Sequence, residues 1–322
     1  MTEMIGLENL SKHFGSLLAV DGISLSVPRG EVLGFLGPNG AGKSTTMKMI
    51  AGFLEPTSGT AKVCGLDVGE YPVEVKRRIG YLPEGAPTYG DMTTRRFLNF
   101  IAEVRGFDGP EKKRRTEEIV EKIAIGEVMD QLIETLSKGF KRRVGLAQAM
   151  LHDPEILILD EPTDGLDPNQ KHHVRELIRD MAKDKAIIVS THILEEVEAV
   201  CTRAVIIAHG RLLVDGTPEE LVARAANHNA VLVSVDGAAE QAVVDAANAM
   251  AAVRGVEVLD GPSGVRRVRV LPLDGQAIIG DLGEALRLAN TPVREMFVER
   301  GALDEVFRTI TSEPGSESSD HA

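Results

Sequence analysis

The sequence predicts an α/β protein that carries a second, smaller α+β domain. Continuous apolar, β-rich runs alternate with helical stretches over roughly the first 220 residues, and a glycine loop joins one such run directly to a helix. From about Asn229 the pattern changes to strands in which apolar residues partly alternate with charged ones. With 322 residues, 43% hydrophobic and 26% charged, the chain can bury one large core or two ordinary ones, which excludes disorder throughout.

The clearest strands of the first domain are Glu31 to Leu36 (EVLGFL), Ile156 to Leu159 (ILIL) and Ala186 to Ser190 (AIIVS). They lack period-two alternation, so they suit a sheet buried on both faces and covered by helices. Met92 to Arg105 and Glu111 to Ile125 read as helical, and the charged stretch EKKRRTEE (Glu111 to Glu118) reads as a solvated face. In the second domain the order is strand Ala230 to Val235, helix Ala238 to Ala252, strands Val256 to Leu259 and Val265 to Leu271, helix Ala277 to Ala289, and strand VREMFV. This is βαββαβ, a ferredoxin-like pattern, with one packed and one wet face expected for its sheet. An amphipathic helix, Leu303 to Ile310, closes it, and the polar end SEPGSESSDHA reads as disordered. The expected domains are 1–225, with a helical subdomain at about 85–155, then 229–311, then a tail at 312–322.

Lys and Arg number 36 against 49 Asp and Glu, for a formal charge of -13, which argues against a broad electropositive surface and a nucleic-acid partner. Apolar runs such as Ala186 to Val189 and Ala204 to Ala208 fall far short of the roughly 18 to 20 residues a membrane span needs. The opening MTEMIGLENLSKHFG has no basic region followed by an apolar stretch, so no signal peptide is expected. Cys64 and Cys201 are isolated and suit a reducing cytosol, without disulfide framework or zinc site.

Strand EVLGFL runs into Gly37-Pro-Asn39-Gly40-Ala-Gly42-Lys43-Ser44-Thr45, and a helical pattern follows. This is a P-loop between strand and helix. Its glycines let successive backbone N–H groups converge on phosphate oxygens, and the helix directs its positive end at the same anion. Lys43 would neutralise the β- and γ-phosphates and Ser44 would ligate Mg²⁺. The run ILILDEP ends in two adjacent carboxylates at the carboxyl end of a buried strand, where open α/β sheets bind ligands. Asp160 would reach Mg²⁺ through water, and Glu161 would take a proton from an attacking water. Between these lies LSKGFKRRVGLAQAMLHDP, in which Ser137 can cap a helix whose apolar face runs through Val144, Ala147 and Leu151.

The order of motifs then becomes decisive: P-loop, an LSxG element before ILILDEP, Gly165-Leu166-Asp167, and Ser190-Thr191-His192 after the next strand. Over roughly residues 4 to 220 the chain resembles the ATP-binding subunits of ABC transporters, which are P-loop NTPases. The resemblance implies that Phe14 stacks on adenine with Val20 flanking the base. Gly37, Asn39, Gly40, Gly42, Lys43, Ser44 and Thr45 would bind ATP. Ser137 and Gly139 are expected to reach an ATP held by another copy. The family signature LSGGQ reads Leu136-Ser-Lys-Gly-Phe140 here, so contacts of the usual Gln are lost. The Q-loop glutamine is replaced by Glu84, which can still approach Mg²⁺ or the water through an oxygen. Asp167 matches the D-loop aspartate at the dimer interface, and His192 the switch histidine that touches the γ-phosphate and holds Glu161 in line.

These parts imply ATP hydrolysis with Mg²⁺ in a head-to-tail dimer, with itself or a homologous ATPase, closing over two ATP molecules. They also imply a separate integral-membrane permease docking between Glu84 and about Arg105, a stretch carrying Tyr89, Met92, Phe97 and Phe100, and a cytoplasmic location peripheral to the inner face of the cell membrane. The closing FVERGALDEVFRTIT resembles the C-terminal domain of drug, antibiotic and polysaccharide export ATPases, which makes an exporter the expected role. The alternative is a soluble ABC ATPase that remodels ribosomes or DNA; those typically carry two ATPase units or a long coiled coil, whereas this chain has one P-loop and no heptad run. The second domain is expected to stabilise a dimer or dock a partner, with ligand binding as its other reading.

Overall fold

The apolar runs expected to be buried strands form the middle of a six-stranded sheet. The computed structural model describes residues 2–85, 89–261 and 264–312, and the chain divides into two units, Met1–Thr217 and Pro218–Ala322.

In the first unit the elements are β1 (Glu3–Phe14), β2 (Leu17–Pro28), β3 (Val32–Leu36), α1 (Lys43–Ile50), β4 (Ser58–Val63), β5 (Leu66–Asp67), α2 (Pro72–Arg78) and β6 (Ile79–Leu82). There follow α3 (Thr94–Val104), α4 (Gly109–Ile123), α5 (Lys138–Met150), β7 (Ile156–Asp160), α6 (Pro168–Ala182), β8 (Ala186–Thr191), α7 (Leu194–Val200), β9 (Arg203–Ala208) and β10 (Arg211–Gly216). The large sheet runs β10-β9-β3-β8-β7-β6, parallel from β9 to β6, with β10 antiparallel at the edge. Every residue of β3, β7 and β8 is buried, as runs of Val, Ile and Leu without alternation require. Because these strands are parallel, the residues that follow β3, β6, β7 and β8 gather at one edge of the sheet.

A second sheet, β2-β1-β4-β5, is antiparallel. Its two long strands change register repeatedly, which blurs the alternation that would have marked them in the sequence. Leu7, Leu10, Val20, Phe35, Met47, Ile50, Ile158 and Ile188 share one core that joins this sheet, α1 and the large sheet. Helices α3, α4 and α5 pack on one another, and α5 also packs on β6. Side-chain caps set the starts of α3 and α5: Thr93 accepts from Arg96 N, and Ser137 from Phe140 N at 3.3 Å.

The second unit contains α8 (Pro218–Val222), β11 (Ala230–Asp236), α9 (Glu240–Asn248), β12 (Val253–Asp260), β13 (Val265–Pro272), α10 (Ile279–Leu288), β14 (Val293–Glu299) and α11 (Leu303–Ser312). The break between units falls ahead of residue 225, since α8 packs on α11 and sorts with the second unit. The sheet order β12-β13-β11-β14 puts the first strand of the βαββαβ series between the third and the fourth, all antiparallel. Val231, Val233, Val243, Val268 and Leu282 build its core between sheet and helices. The opposite face is less wet than expected at its centre. Leu232 and Ser234 are buried there between Arg267 and Arg269 of β13 and Glu295 and Phe297 of β14, and Arg269 pairs with Glu299 and Glu257 across the strands. Apart from Ser312, the segment 312–322 lies outside the described residues.

Candidate nucleotide-binding and hydrolysis site

The loop after β3 is built so that only glycine fits at its ends. A Cβ on Gly37 would sit 2.3 Å from the carbonyl oxygen of Ile207, and one on Gly42 would sit 2.6 Å from that of Ala19. Gly42 also has φ 104° and caps α1 without offering a side-chain acceptor, so the first-turn N–H groups keep their bonding capacity for an anion. Lys43 is buried at the start of α1, and its ammonium donates to the carbonyls of Gly37 at 2.6 Å and Pro38 at 3.0 Å. Burial lowers its pKa, while Glu161, Asp160 and Glu84 act in the opposite direction. Asn39 and Gly40 are exposed at the tip; Ser44 and Thr45 are half-buried.

At the end of β7 the Asp160 carboxylate is buried. Its Oδ1 accepts a short hydrogen bond from Ser190 Oγ, and its Oδ2 is buried without a partner. Ser44, Lys48, Pro83, Glu84, Gly85 and Asp160 line one cavity of about 360 Å³. An orphaned carboxylate oxygen beside a hydroxyl and a second carboxylate fits Mg²⁺, which takes one or two protein ligands and completes its shell with phosphate and water. Among the described residues no group of three His, Cys, Asp or Glu side chains could hold a metal alone.

Glu161 adopts φ 50°, a left-handed conformation unusual for a side chain with a Cβ. Its N–H donates to Ser190 O at 3.1 Å and its Oε1 lies 2.8 Å from His192 Nδ1. The buried guanidinium of Arg142, on α5, donates to Glu161 O through Nε at 3.0 Å and Nη2 at 2.6 Å, to Pro83 O at 2.9 Å, and to Asp160 O. Arg142 was absent from the sequence reading, as was Ser190 in a structural role. The only sequence signal for Arg142 is its place in a basic run, Lys141 to Arg143, at the head of an otherwise largely apolar helix.

A second group forms around the first turn of α5. Ser137 and Lys138 are exposed, and Lys138 Nζ pairs with Asp164 at 2.8 Å. A Cβ on Gly139 would meet Gln170 Oε1 at 3.0 Å and Gly165 O at 3.2 Å. Asp167 caps α6, accepting from Gln170 N at 2.9 Å in a reciprocal capping box. Phe140, where the signature has Gln, lies under the Arg143 guanidinium at 4.1 Å. At the end of β1, Phe14 is 48% exposed, with Lys12 Nζ over its ring at 5.4 Å from the centroid. Val20 departs from expectation. It is 0% exposed and packs beside Gly42, so it supports the P-loop from within the core and has no surface to offer a base.

Residues 20–164 match the ABC transporter family. The daunorubicin/doxorubicin resistance ATP-binding protein DrrA of Streptomyces peucetius is 32% identical over 319 residues, 99% of this chain and 95% of its own. The chain belongs to the ABC transporter ATP-binding family. Within that family it is also similar to the linearmycin resistance ATP-binding protein LnrL of Bacillus subtilis (strain 168), 37% identical over 235 residues, 73% of this chain and 76% of that one. A solved ATP-binding subunit of an ABC transporter superposes with a TM-score of 0.63 at 31% identity, covering 68% of this chain and 91% of that one. ABC ATPases bind and hydrolyse ATP, and the family match falls within the first unit, where the P-loop and the carboxylates lie.

Proposed function

We propose that this ABC ATPase powers an exporter by closing in pairs over two ATP molecules, each hydrolysed at the edge where Lys43, Asp160, Glu161 and His192 meet. The observation that carries the reading is the Glu161–His192 contact of 2.8 Å beside the unpartnered Asp160 Oδ2. The glycine loop cradles the phosphates, Lys43 leaves its loop carbonyls to neutralise the β- and γ-oxygens, and Phe14 stacks on the base. Ser44 and Asp160 would hold Mg²⁺, with Glu84 lining the same cavity, and the metal would supply charge neutralisation on the phosphate oxygens. A water attacks the γ-phosphorus and gives its proton to Glu161, the bond to the β–γ bridging oxygen breaks, and His192 keeps the carboxylate in line.

The exposed Ser137 and the buried Gly139, on the first turn of α5, contact the ATP of a second copy, and Asp167 lies at that interface. Loss of the γ-phosphate removes charge that the closed state binds, so the pair reopens. A separate membrane permease docks along the stretch 84–105 and in the adjoining groove of about 730 Å³, whose lining includes the exposed Phe53, Val73 and Val104. Among the described residues no helix is long and apolar enough to cross a membrane, so the span comes from that partner, and the ATPase sits peripherally on the cytoplasmic face. The resistance proteins it resembles favour drug export over a soluble remodelling role, and the second unit serves dimer stability or docking. Glu161→Gln should retain ATP binding, lose turnover by on the order of 10²–10⁴-fold, and accumulate an ATP-dependent dimer in gel filtration. ATP-bound monomer alone would overturn the paired mechanism, and unchanged phosphate release would overturn the role of Glu161.

A further inference from the structure

Helix α7 carries a buried carboxylate that the chemistry above does not use. Glu196 is 4% exposed, yet it belongs to no core of its own kind and faces polar groups from three other elements. Its Oε1 accepts a short hydrogen bond from Thr163 Oγ1, and its Oε2 accepts from Thr191 Oγ1 at 3.0 Å. Thr191 Oγ1 in turn accepts from Ile193 N at 3.0 Å, which pins the backbone on the far side of His192. From α6, Lys171 Nζ and Arg175 Nη2 stand 3.6 and 3.9 Å from Oε1.

The placement of the two threonines gives this cluster its meaning. Thr163 follows Glu161 by two residues, across Pro162, and Thr191 directly precedes His192. Both loops that bear the Glu161–His192 pair are thus tied to the same carboxylate, one through each oxygen. Burying an ionised carboxylate is costly unless cations and donors surround it, and here two hydroxyls and two basic side chains do so. A short helix such as α7 could be held to the sheet by its apolar Val197 and Val200 alone, so packing does not require the charge.

We infer that Glu196 is a positioning residue for ATP hydrolysis: a buried clamp that sets the spacing between the loop of Glu161 and the loop of His192. The inference rests on the proposed roles of that pair. With the clamp intact the carboxylate and imidazole meet before nucleotide arrives, so no reorganisation is needed when water attacks. Without it each loop relaxes separately, and turnover falls while the P-loop, fixed by other contacts, still binds ATP.

The test uses the full chain with Glu196→Leu, Glu196→Gln, Thr191→Val and the double variant Glu196→Leu/Thr191→Val, with Glu161→Gln in parallel. Glu196→Leu should lower kcat on the order of 10- to 100-fold with KM for ATP within about threefold, since a misplacement near 1 Å costs that much. Glu196→Gln, which keeps the shape and one acceptor oxygen, should fall between it and the parent. The double variant should be no slower than Glu196→Leu, because both lesions break the same tie. Parent-like kcat in Glu196→Leu, or a double variant with additive losses, would overturn the clamp. If Glu196→Leu does not fold, Glu196→Gln decides: a kcat reduced at least about threefold at constant KM supports the clamp, and an unchanged kcat overturns it. Inactive Glu161→Gln beside fully active Glu196 variants refutes the clamp alone, whereas active Glu161→Gln refutes the underlying assignment.

Discussion

The carboxylate edge of the large sheet and the signature turn Leu136–Phe140 lie on the same unit, but they are held in opposite ways. At the edge, Asp160 and Arg142 are buried, and the carbonyls of Pro83, Asp160 and Glu161 converge on one guanidinium. At the turn Gly139 is buried and closely packed, but Ser137 and Lys138 are exposed, and the side-chain contacts are local or peripheral: a cap to Phe140 N, an ion pair to Asp164, a cation over Phe140. A buried polar network allows few substitutions because each lost partner orphans another group. An exposed turn lets replacements find new partners, which is why Lys and Phe stand where the family signature has Gly and Gln without disturbing the helix start.

The largest effect expected on the edge comes from Lys43→Ala. The variant loses the one side-chain cation within the glycine loop, and phosphate release should drop by at least on the order of 10²–10³-fold at every protein concentration. A rate equal to the parent would remove the loop from the reaction. Next comes Arg142→Leu, which leaves three backbone carbonyls without their donor in a buried place. Urea unfolding should show a loss of about 2–4 kcal/mol, together with a slower turnover. Arg142→Lys should recover only part of this, because one ammonium cannot serve the two carbonyls at the end of β7 and the one at Pro83 together. A parent-like midpoint for Arg142→Leu would mean that the edge is no more tightly determined than the turn.

Much of this contrast was legible before the structure, and the reason differs by element. Strands β3, β7 and β8 announced themselves as continuous apolar runs, and the P-loop, ILILDEP and STH motifs follow them directly, so topology alone gathers Lys43, Asp160, Glu161 and His192. The long strands β1 and β2 did not, because their bulges interrupt the alternation. The roles of Arg142, Ser190 and Glu196 were also invisible: Arg142 acts through backbone carbonyls, Ser190 reaches Asp160 across 30 residues, and Glu196 joins its near neighbour Thr191 to Thr163 at a separation of 33. Local pattern carries no record of such pairs. Val20 misled for the converse reason, since a valine near an adenine platform looks like a base contact until burial shows that it packs inward.

The smallest expected effect tests the turn. In Lys138→Gln the ion pair with Asp164 is lost, but the two side chains are 70% and 44% exposed, so the pair contributes well under about 1 kcal/mol. The hydrogen bond from Lys138 is the main cause holding the Asp164 carboxyl below its usual range, with desolvation opposing it. A carboxyl depressed in the folded state adds stability above its unfolded pKa, near 4, and loses that contribution as pH falls through the lower folded value. The difference between parent and Lys138→Gln should therefore be measurable at pH 7 and low salt, shrink as salt rises to 0.5 M or so, and vanish under acid conditions. A difference that persisted in salt would show that the lysine stem, which lies 2.7 Å from where a Cβ on Gly165 would stand, holds the turn by packing and not by charge.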